Sequence, residues 1–247
     1  MGSHTTPPQS WTDPEEPRLR FRVSARARRV SLRARPAERC VEVVVPGGGA
    51  GALRAAQDFA RAQRPWIRAQ LEALPPARPL APGAQVPVRG ELYGLGNPGG
   101  RGRPRIDHAG RRILVPAPAG TFAGRALRLL KREAKAELTA RTDHFAALID
   151  REVAKVSVRD TASRWGSSVT RGRGADAHTH ISYSWRLFCA PPWVLDYVCA
   201  HEVAHILHPD HSPRFWAACH SLFPDTPAAK RWLSRHGAGL HAVGAEA

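Results

Sequence analysis

The sequence has few cysteines, few lysines and no long apolar segment. Its four cysteines lie far apart and include no C-x-x-C pair: Cys40, Cys189, Cys199 and Cys219. This spacing excludes a disulfide framework and a thiolate zinc knuckle, and it favours a reducing cytoplasm. No apolar run approaches the roughly 18 residues that span a bilayer, so no membrane segment is expected. Residues 1–17 hold no apolar stretch, which argues against a secretory signal and predicts a disordered lead-in.

Positive charge is abundant and unevenly distributed. The 37 lysines and arginines exceed the 21 acidic residues by 16. Residues 160–247 hold 8 basic against 7 acidic residues, so almost all of the excess lies in residues 1–159. A basic N-terminal half beside a nearly neutral C-terminal half indicates that the two parts meet different partners.

Alternating side chains in residues 18–48 predict antiparallel strands. In "RLRFRVS" apolar residues alternate with arginines, so one sheet face is apolar and the other carries arginine. That arginine face is either solvated or binds nucleic acid or another acidic partner. Residues 52–74 have a helical composition, and Pro65 is expected to kink or split the helix. We therefore expect a basic, antiparallel β-rich module with one helix over residues 18–120.

The remaining residues predict a mixed domain over 121–240 and a tail over 241–247. A long amphipathic helix is expected over residues 122–154, followed by the strand candidates "KVSVRD" and "HTHISYSW". Prolines then open three helices, at residues 191–192, 212–213 and 226–227, with Pro209 ending the first and Gly237 ending the last.

The stretch "HEVAHILHPDH", residues 201–211, carries the strongest chemical signal. His201 and His205 stand four residues apart on a predicted helix, so their imidazoles share one face, as two zinc ligands require. Glu202 is rotated by about 100° around that helix and can reach a water on the metal as general base. In a chain of this composition, H-E-x-x-H is expected by chance about 0.03 times. A further histidine at position 211 lowers this expected number again, so a chance match is a poor explanation.

A catalytic zinc takes three protein ligands and keeps one position for water. His211 is the expected third ligand, because a turn at Pro209 lets the chain fold back toward the helix. His208, three residues after His205, is the alternative.

Several segments of the sequence resemble one family. "WIRAQLEAL", "SRWGSS", the stretch from "ISYSW" to "HSPRFW", and "FPDTPAAKRWL" are similar to the YgjP-like zinc metallopeptidases, relatives of the SprT-like proteins. The resemblance spans residues 18–237 and implies an α+β fold with a zincin-like metallopeptidase domain that binds one zinc ion per chain. The chain departs from the family's usual "WGSC" at Ser168 and from its "NWRL" at Ser184.

Four residues near the motif are candidates for contacts with the substrate or the transition state. Tyr197 lies one turn before His201, and Arg186 offers a positive charge; their alternatives are core packing and a surface ion pair. Trp165 and Ser168, both in "SRWGSS", are further candidates for substrate contacts.

The leading hypothesis is a zinc-dependent endopeptidase that acts on a protein or peptide substrate, with Glu202 as general base. A zinc-dependent ribonuclease resembling YbeY has the same histidine spacing, but that family has glycine at the positions of Glu202 and His208. A nucleic-acid-binding module with a structural zinc is a third hypothesis, although only three ligands are evident. His178 and His180 share a strand face and form either a second metal site or a surface toward solvent or substrate.

Overall fold

Residues 1–77 and residues 78–247 form separate units. A computed structural model of the protein describes residues 9–47, 49–161, 164–172 and 178–245. The division differs from the boundary expected at residues 120–121. The reason is that the strands between residues 85 and 114 share one apolar core with the helices that follow them. No helix in the described ranges is long and apolar enough to cross a bilayer.

The first unit packs a four-stranded sheet against two helices. Its strands are β1 (Ser10–Thr12), β2 (Leu19–Ser24), β3 (Ser31–Arg35) and β4 (Cys40–Pro46), in the order β1-β2-β4-β3. Its helices are α1 (Ala50–Ala62) and α2 (Arg64–Glu72). Because alternate residues of a strand face opposite sides, Leu19 and Phe21 enter the core while the arginine between them stays outside.

Two details of this unit differ from the sequence prediction. β1 lies inside the expected lead-in, where Trp11 stacks on Phe21 with ring centroids 5.0 Å apart; residues 1–8 lie outside the described part. β2 and β4 pair in parallel, so the sheet is mixed rather than antiparallel. The helix expected over residues 52–74 is split at Pro65, as the sequence predicts, because this proline occupies the first turn of α2 and starts a new helix there.

The second unit combines two small sheets with helices. One sheet contains β5 (Gln85–Val88), β6 (Glu91–Gly96), β7 (Arg105–Asp107) and β8 (Arg112–Leu114), in the order β5-β6-β8-β7. The other contains β9 (Lys155–Arg159), β10 (Gly166–Arg171) and β11 (His178–Ser184), in the order β10-β11-β9. The helices are α3 (Phe122–Ala147), α4 (Pro192–Leu207), α5 (Pro213–Leu222) and α6 (Thr226–His241). The molecule is therefore α+β, as the sequence predicts.

The three-stranded sheet of the second unit covers α3 and α4 with one face. Ile181 and Tyr183 of β11 are fully buried on that face. The Tyr183 hydroxyl lies 2.9 Å from Oγ1 of Thr142 on α3, and both side chains are inaccessible to solvent. This buried polar contact links the sheet to the long helix beneath it.

The C-terminal residues also belong to the core of the second unit. α6 continues through the expected stop at Gly237. The role of this glycine is to let Trp165 approach closely, since a Cβ there would lie 3.0 Å from the indole. Val243 is buried and pairs with Arg78 in an isolated bridge. The expected tail is thus ordered through Ala245 in the described part of the chain.

All four cysteines are free thiols in buried positions. Burial raises the pKa of Cys189 and of Cys199 to about 12. Cys40 belongs to the first unit, and the other three belong to the second.

Candidate metal centre

Helix α4 carries His201, Glu202 and His205 near its C-terminal end. The helix begins at a proline, which suits its first turn, and ends at Leu207. His208 follows in an extended conformation with φ of −136°, as expected for the residue before Pro209. The ring centroids of His201 and His205 lie 5.0 Å apart, so the two imidazoles share one face of the helix.

A tight turn after α4 brings His211 to the same point. Asp210 Oδ1 accepts a hydrogen bond from the backbone N–H of Ser212 at 3.2 Å, which closes the turn. His211 Nε2 lies 3.3 Å from His201 Nε2. One ring nitrogen from each of His201, His205 and His211 lies within 4.8 Å of the other two. In the described ranges this is the only cluster of three or more potential ligand side chains of this kind.

The geometry of these nitrogens suits a tetrahedral metal such as zinc. Two nitrogens bound at about 2.05 Å to a tetrahedral zinc lie about 3.4 Å apart, close to the 3.3 Å between His211 and His201. The backbone carbonyl of His208 lies 3.0 Å from His205 Nδ1. A proton on Nδ1 can be donated to that carbonyl, which leaves the Nε2 lone pair for a metal.

Burial keeps the imidazoles of His201 and His205 in the form that binds metal. Burial lowers the pKa of His201 to about 3, with further lowering from the neighbouring His205 and His211. Burial also lowers the pKa of His205. Neutral imidazoles, unlike imidazolium ions, offer a lone pair to a cation.

Phe215 forms the floor beneath all three imidazoles. Its ring is fully buried, and the ring centroids of His205, His211 and His201 lie 4.4, 4.8 and 4.9 Å from it. The N-terminal cap of α5 fixes this position, because Ser212 Oγ accepts a hydrogen bond from the Phe215 N–H at 3.4 Å. Phe215 lies outside the motif of residues 201–211 and was not predicted as a site residue. The only signal near it is the Ser-Pro pair that predicts the start of α5.

Glu202 is buried beside the cluster and faces β10. It is 5% exposed, and burial raises its pKa to about 7 against the opposing charge of Arg164. A Cβ at Gly166 would lie 2.4 Å from Glu202 Oε1. Gly166 does not have a positive φ, so the backbone conformation does not require a glycine here. The position requires a glycine because a side chain would take the space of the Glu202 carboxylate. Neither Gly166 nor Arg164 was singled out as a site residue from the sequence, although "SRWGSS" contains both.

An open cleft of about 690 Å³ contains the three histidines and Glu202. β10 supplies one wall with Gly166, Ser168 and Thr170, and Arg164 stands at the start of that wall. Ser168 therefore lines the cleft, and its contact with a substrate stays a prediction.

The other three candidates from the sequence lie outside this cleft. Tyr197 is 6% exposed and packs edge-on against His201 at 5.8 Å, which fits core packing. Arg186 is buried, donates from Nε to the Val243 carbonyl at 3.0 Å, and forms an ion pair with Asp160. Trp165 stacks on a histidine of α6 with ring centroids 4.4 Å apart. The transition-state contacts expected for Tyr197 and Arg186 have no support from these positions.

Both departures from the family pattern leave a hydroxyl without a partner. Among the described residues, Ser168 Oγ and Ser184 Oγ are buried and make no hydrogen bond. Ser184 is fully inaccessible to solvent. The shorter serine side chain at position 184 cannot reach as far as the asparagine that the family usually has there.

His178 and His180 lie side by side on β11 with ring centroids 5.4 Å apart. No third potential ligand joins them within the described ranges. Within the described ranges, the geometry therefore does not support a second metal centre at this pair.

The arginine face of the first unit is largely neutralised by carboxylates. Arg22 donates from Nε to Glu42 Oε2 at 2.9 Å, and Arg35 also approaches Glu42. Arg18 and Arg20 form ion pairs with other glutamates. Four other arginines line an open groove of about 670 Å³ around the β2–β3 turn, here called the arginine groove, which Arg22 also lines: Arg26, Arg28, Arg29 and Arg33.

A helix with two histidines one turn apart, a third on the following turn and a buried glutamate between them is typical of metallopeptidases. Comparison with protein families agrees: the "YgjP-like, metallopeptidase domain" family matches residues 28–236. The chain therefore belongs to the YgjP-like family, and the resemblance found in the sequence is confirmed. No curated protein and no solved structure matches the chain.

Proposed function

We propose that this metallopeptidase is a zinc-dependent endopeptidase, in which His201, His205 and His211 hold the metal and Glu202 is the general base. The observation that carries the proposal is a buried carboxylate beside three clustered imidazoles in one open cleft. Bound zinc supplies a Lewis acid that polarises a carbonyl and lowers the pKa of water to about 7.

The side chains of the cleft supply the remaining chemistry. Glu202 accepts a proton from the attacking water and donates it to the leaving amine nitrogen. Gly166 keeps the space that this carboxylate occupies. Arg164, at the start of the cleft wall, is the candidate to stabilise negative charge on the substrate carbonyl oxygen.

The position of β10 supports binding of an extended polypeptide. β10 is an edge strand of its sheet in the described residues, and its Gly166, Ser168 and Thr170 line the cleft. An edge strand offers unpaired N–H and C=O groups, with which a substrate backbone can form an additional strand. The six residues of β10 leave room for substrate on both sides of the scissile bond, which favours an endopeptidase over an exopeptidase.

The test compares wild type with Glu202→Gln for zinc content and for cleavage of casein and a peptide library. We expect Glu202→Gln to bind one zinc per chain and to lose hydrolysis, because the amide matches the carboxylate in shape but cannot accept the proton. Glu137→Gln is the matched control, since Glu137 is a second partly buried glutamate of this unit outside the cleft.

Two results would contradict the proposal. Hydrolysis by Glu202→Gln at the wild-type rate would remove Glu202 from the mechanism. Cleavage of RNA but not of peptides by the zinc-loaded wild type would favour the ribonuclease alternative.

A second activity, nucleic-acid binding, is favoured by the arginine groove. Four of its arginines are exposed and make no ion pair in the described part of the chain: Arg26, Arg28, Arg29 and Arg33. Arginines of this kind bind phosphates and release counterions, so affinity falls steeply with salt.

Binding of DNA and RNA at several salt concentrations tests this second activity. Serine at the four exposed groove arginines is expected to reduce the slope of log affinity against log salt by roughly 3 to 4, about 0.9 for each lost phosphate contact. The matched control removes four exposed arginines from the helices of the same unit: Arg54, Arg61, Arg64 and Arg68. Equal slopes for the two variants would show that only net charge matters.

A further inference from the structure

The sheet face opposite the core carries a row of three serines. Ser167 of β10 pairs with Ser182 of β11, and Ser182 pairs with Ser157 of β9. Because paired residues of neighbouring strands point to the same side, their hydroxyls follow one another across the sheet. All three line an open groove of about 490 Å³, here called the serine groove.

Positive charge surrounds this row. Lys155, Arg159, Arg164 and Arg171 line the serine groove, and no described lining residue is acidic. None of the four forms a salt bridge with any described carboxylate within 4.0 Å. The groove therefore combines hydroxyl donors with cations that lack a described counter-charge.

The serine groove and the metal cleft share β10. Arg164, Gly166 and Ser167 line both, so β10 lies between the two spaces. Side chains of a strand point alternately to either side of a sheet. A substrate strand placed beside β10 would therefore send every second side chain toward the metal side and the others toward the serine groove.

We propose that the serine groove is a subsite for aspartate and glutamate side chains of the polypeptide substrate. This proposal rests on the peptidase function proposed above. Carboxylates match the groove because guanidinium, ammonium and hydroxyl groups all donate hydrogen bonds to them. Nucleic acid fits less well: Trp165 is the one tryptophan, tyrosine or phenylalanine among the described lining residues, and it is already stacked on His241.

The first experiment uses paired fluorogenic peptides that differ only in having aspartate and glutamate, or asparagine and glutamine, on both sides of the scissile bond. Wild type is expected to cleave the acidic peptides with a kcat/KM about fivefold to tenfold higher, as two partly exposed charge contacts allow. Lys155→Gln with Arg159→Gln is expected to bring that ratio close to one. Arg132→Gln with Arg151→Gln removes the same charge elsewhere on this unit and is expected to keep the wild-type ratio.

The second experiment measures binding without catalysis. Labelled acidic and amide peptides and a single-stranded oligonucleotide are titrated onto Glu202→Gln by fluorescence anisotropy. Tighter binding of the acidic peptide, lost on adding Lys155→Gln and Arg159→Gln, supports the subsite even if no peptide is hydrolysed. Melting temperatures confirm that these exposed replacements leave the fold intact.

Three results would overturn the proposal. The first is equal cleavage of acidic and amide peptides by wild type, which would leave the peptidase function standing. The second is an acidic preference that persists in the Lys155 and Arg159 variant. The third is tighter binding of the oligonucleotide than of the acidic peptide, with sensitivity to the same two replacements, which would assign the groove to nucleic acid.

Discussion

Replacing Gly166 by alanine tests how the site is held together. The added Cβ would lie 2.4 Å from Glu202 Oε1, 2.6 Å from Cγ and 2.7 Å from Cδ. Ordinary contact begins near 3.4 Å, so these three atoms must move away by about 0.7 to 1 Å. Glu202 is only 5% exposed, so its side chain cannot simply swing into solvent.

We expect Gly166→Ala to lower kcat/KM about a hundredfold or more, because a misplacement of about 1 Å can cost a factor of that order. Overpacking is expected to lower the free energy of unfolding by about 1 to 3 kcal/mol. Zinc content is expected to stay near one per chain, because the added methyl group contacts Glu202 rather than an imidazole. Adding Gly166→Ala to Glu202→Gln is expected to cause little further loss, since both changes disable the same group.

The assay combines peptide hydrolysis, zinc analysis and urea unfolding. Gly94→Ala is the matched control, since Gly94 is a strand glycine of the same unit whose Cβ would meet nothing within 4 Å. Wild-type kcat/KM in Gly166→Ala would refute the reasoning. Loss of zinc from this variant would also refute it, because the damage would then extend beyond Glu202.

Two further predictions concern the metal and the core. His211→Ala is expected to weaken zinc binding sharply in a competition assay with a chelator. His208→Ala is expected to retain zinc, because His208 contributes only its backbone carbonyl, to His205. The reverse order would identify His208 as the third ligand. Thr142→Val is expected to lower the free energy of unfolding in urea by about 1 to 3 kcal/mol, because it removes a buried partner of the Tyr183 hydroxyl. Thr142→Val combined with Tyr183→Phe is expected to recover part of the lost free energy, because the unpaired hydroxyl is then removed as well. An unchanged unfolding midpoint in Thr142→Val would show that this contact contributes nothing.

The sequence predicts the elements that local signals define. Prolines correctly predict where α4 and α5 begin, at Pro192 and Pro213, and where α4 ends, just before Pro209. These signals are readable in the sequence because each acts within a few residues. β1 and the parallel pairing of β2 with β4 were missed, because both depend on residues that meet only in the folded chain. The unit boundary was missed for the same reason, since β5 to β8 join a core completed by later helices.

The candidate site shows the same dependence on distance along the chain. The spacing of His201, Glu202 and His205 follows from one helix and could be read directly. Gly166 and Phe215 could not, because their roles come from contacts with other elements. The structure groups His211 with the helix histidines, as expected from the turn, and its role as a ligand stays a prediction.

The buried thiols give each unit its own chemical reporter. A reagent that modifies only exposed thiolates reacts with Cys40 when the first unit opens, and with Cys189, Cys199 and Cys219 when the second unit opens. Mass spectrometry of the labelled, unmutated chain therefore times the opening of both units in one sample. A metal that binds at His201, His205 and His211 is expected to slow labelling in the second unit and to leave the rate at Cys40 unchanged.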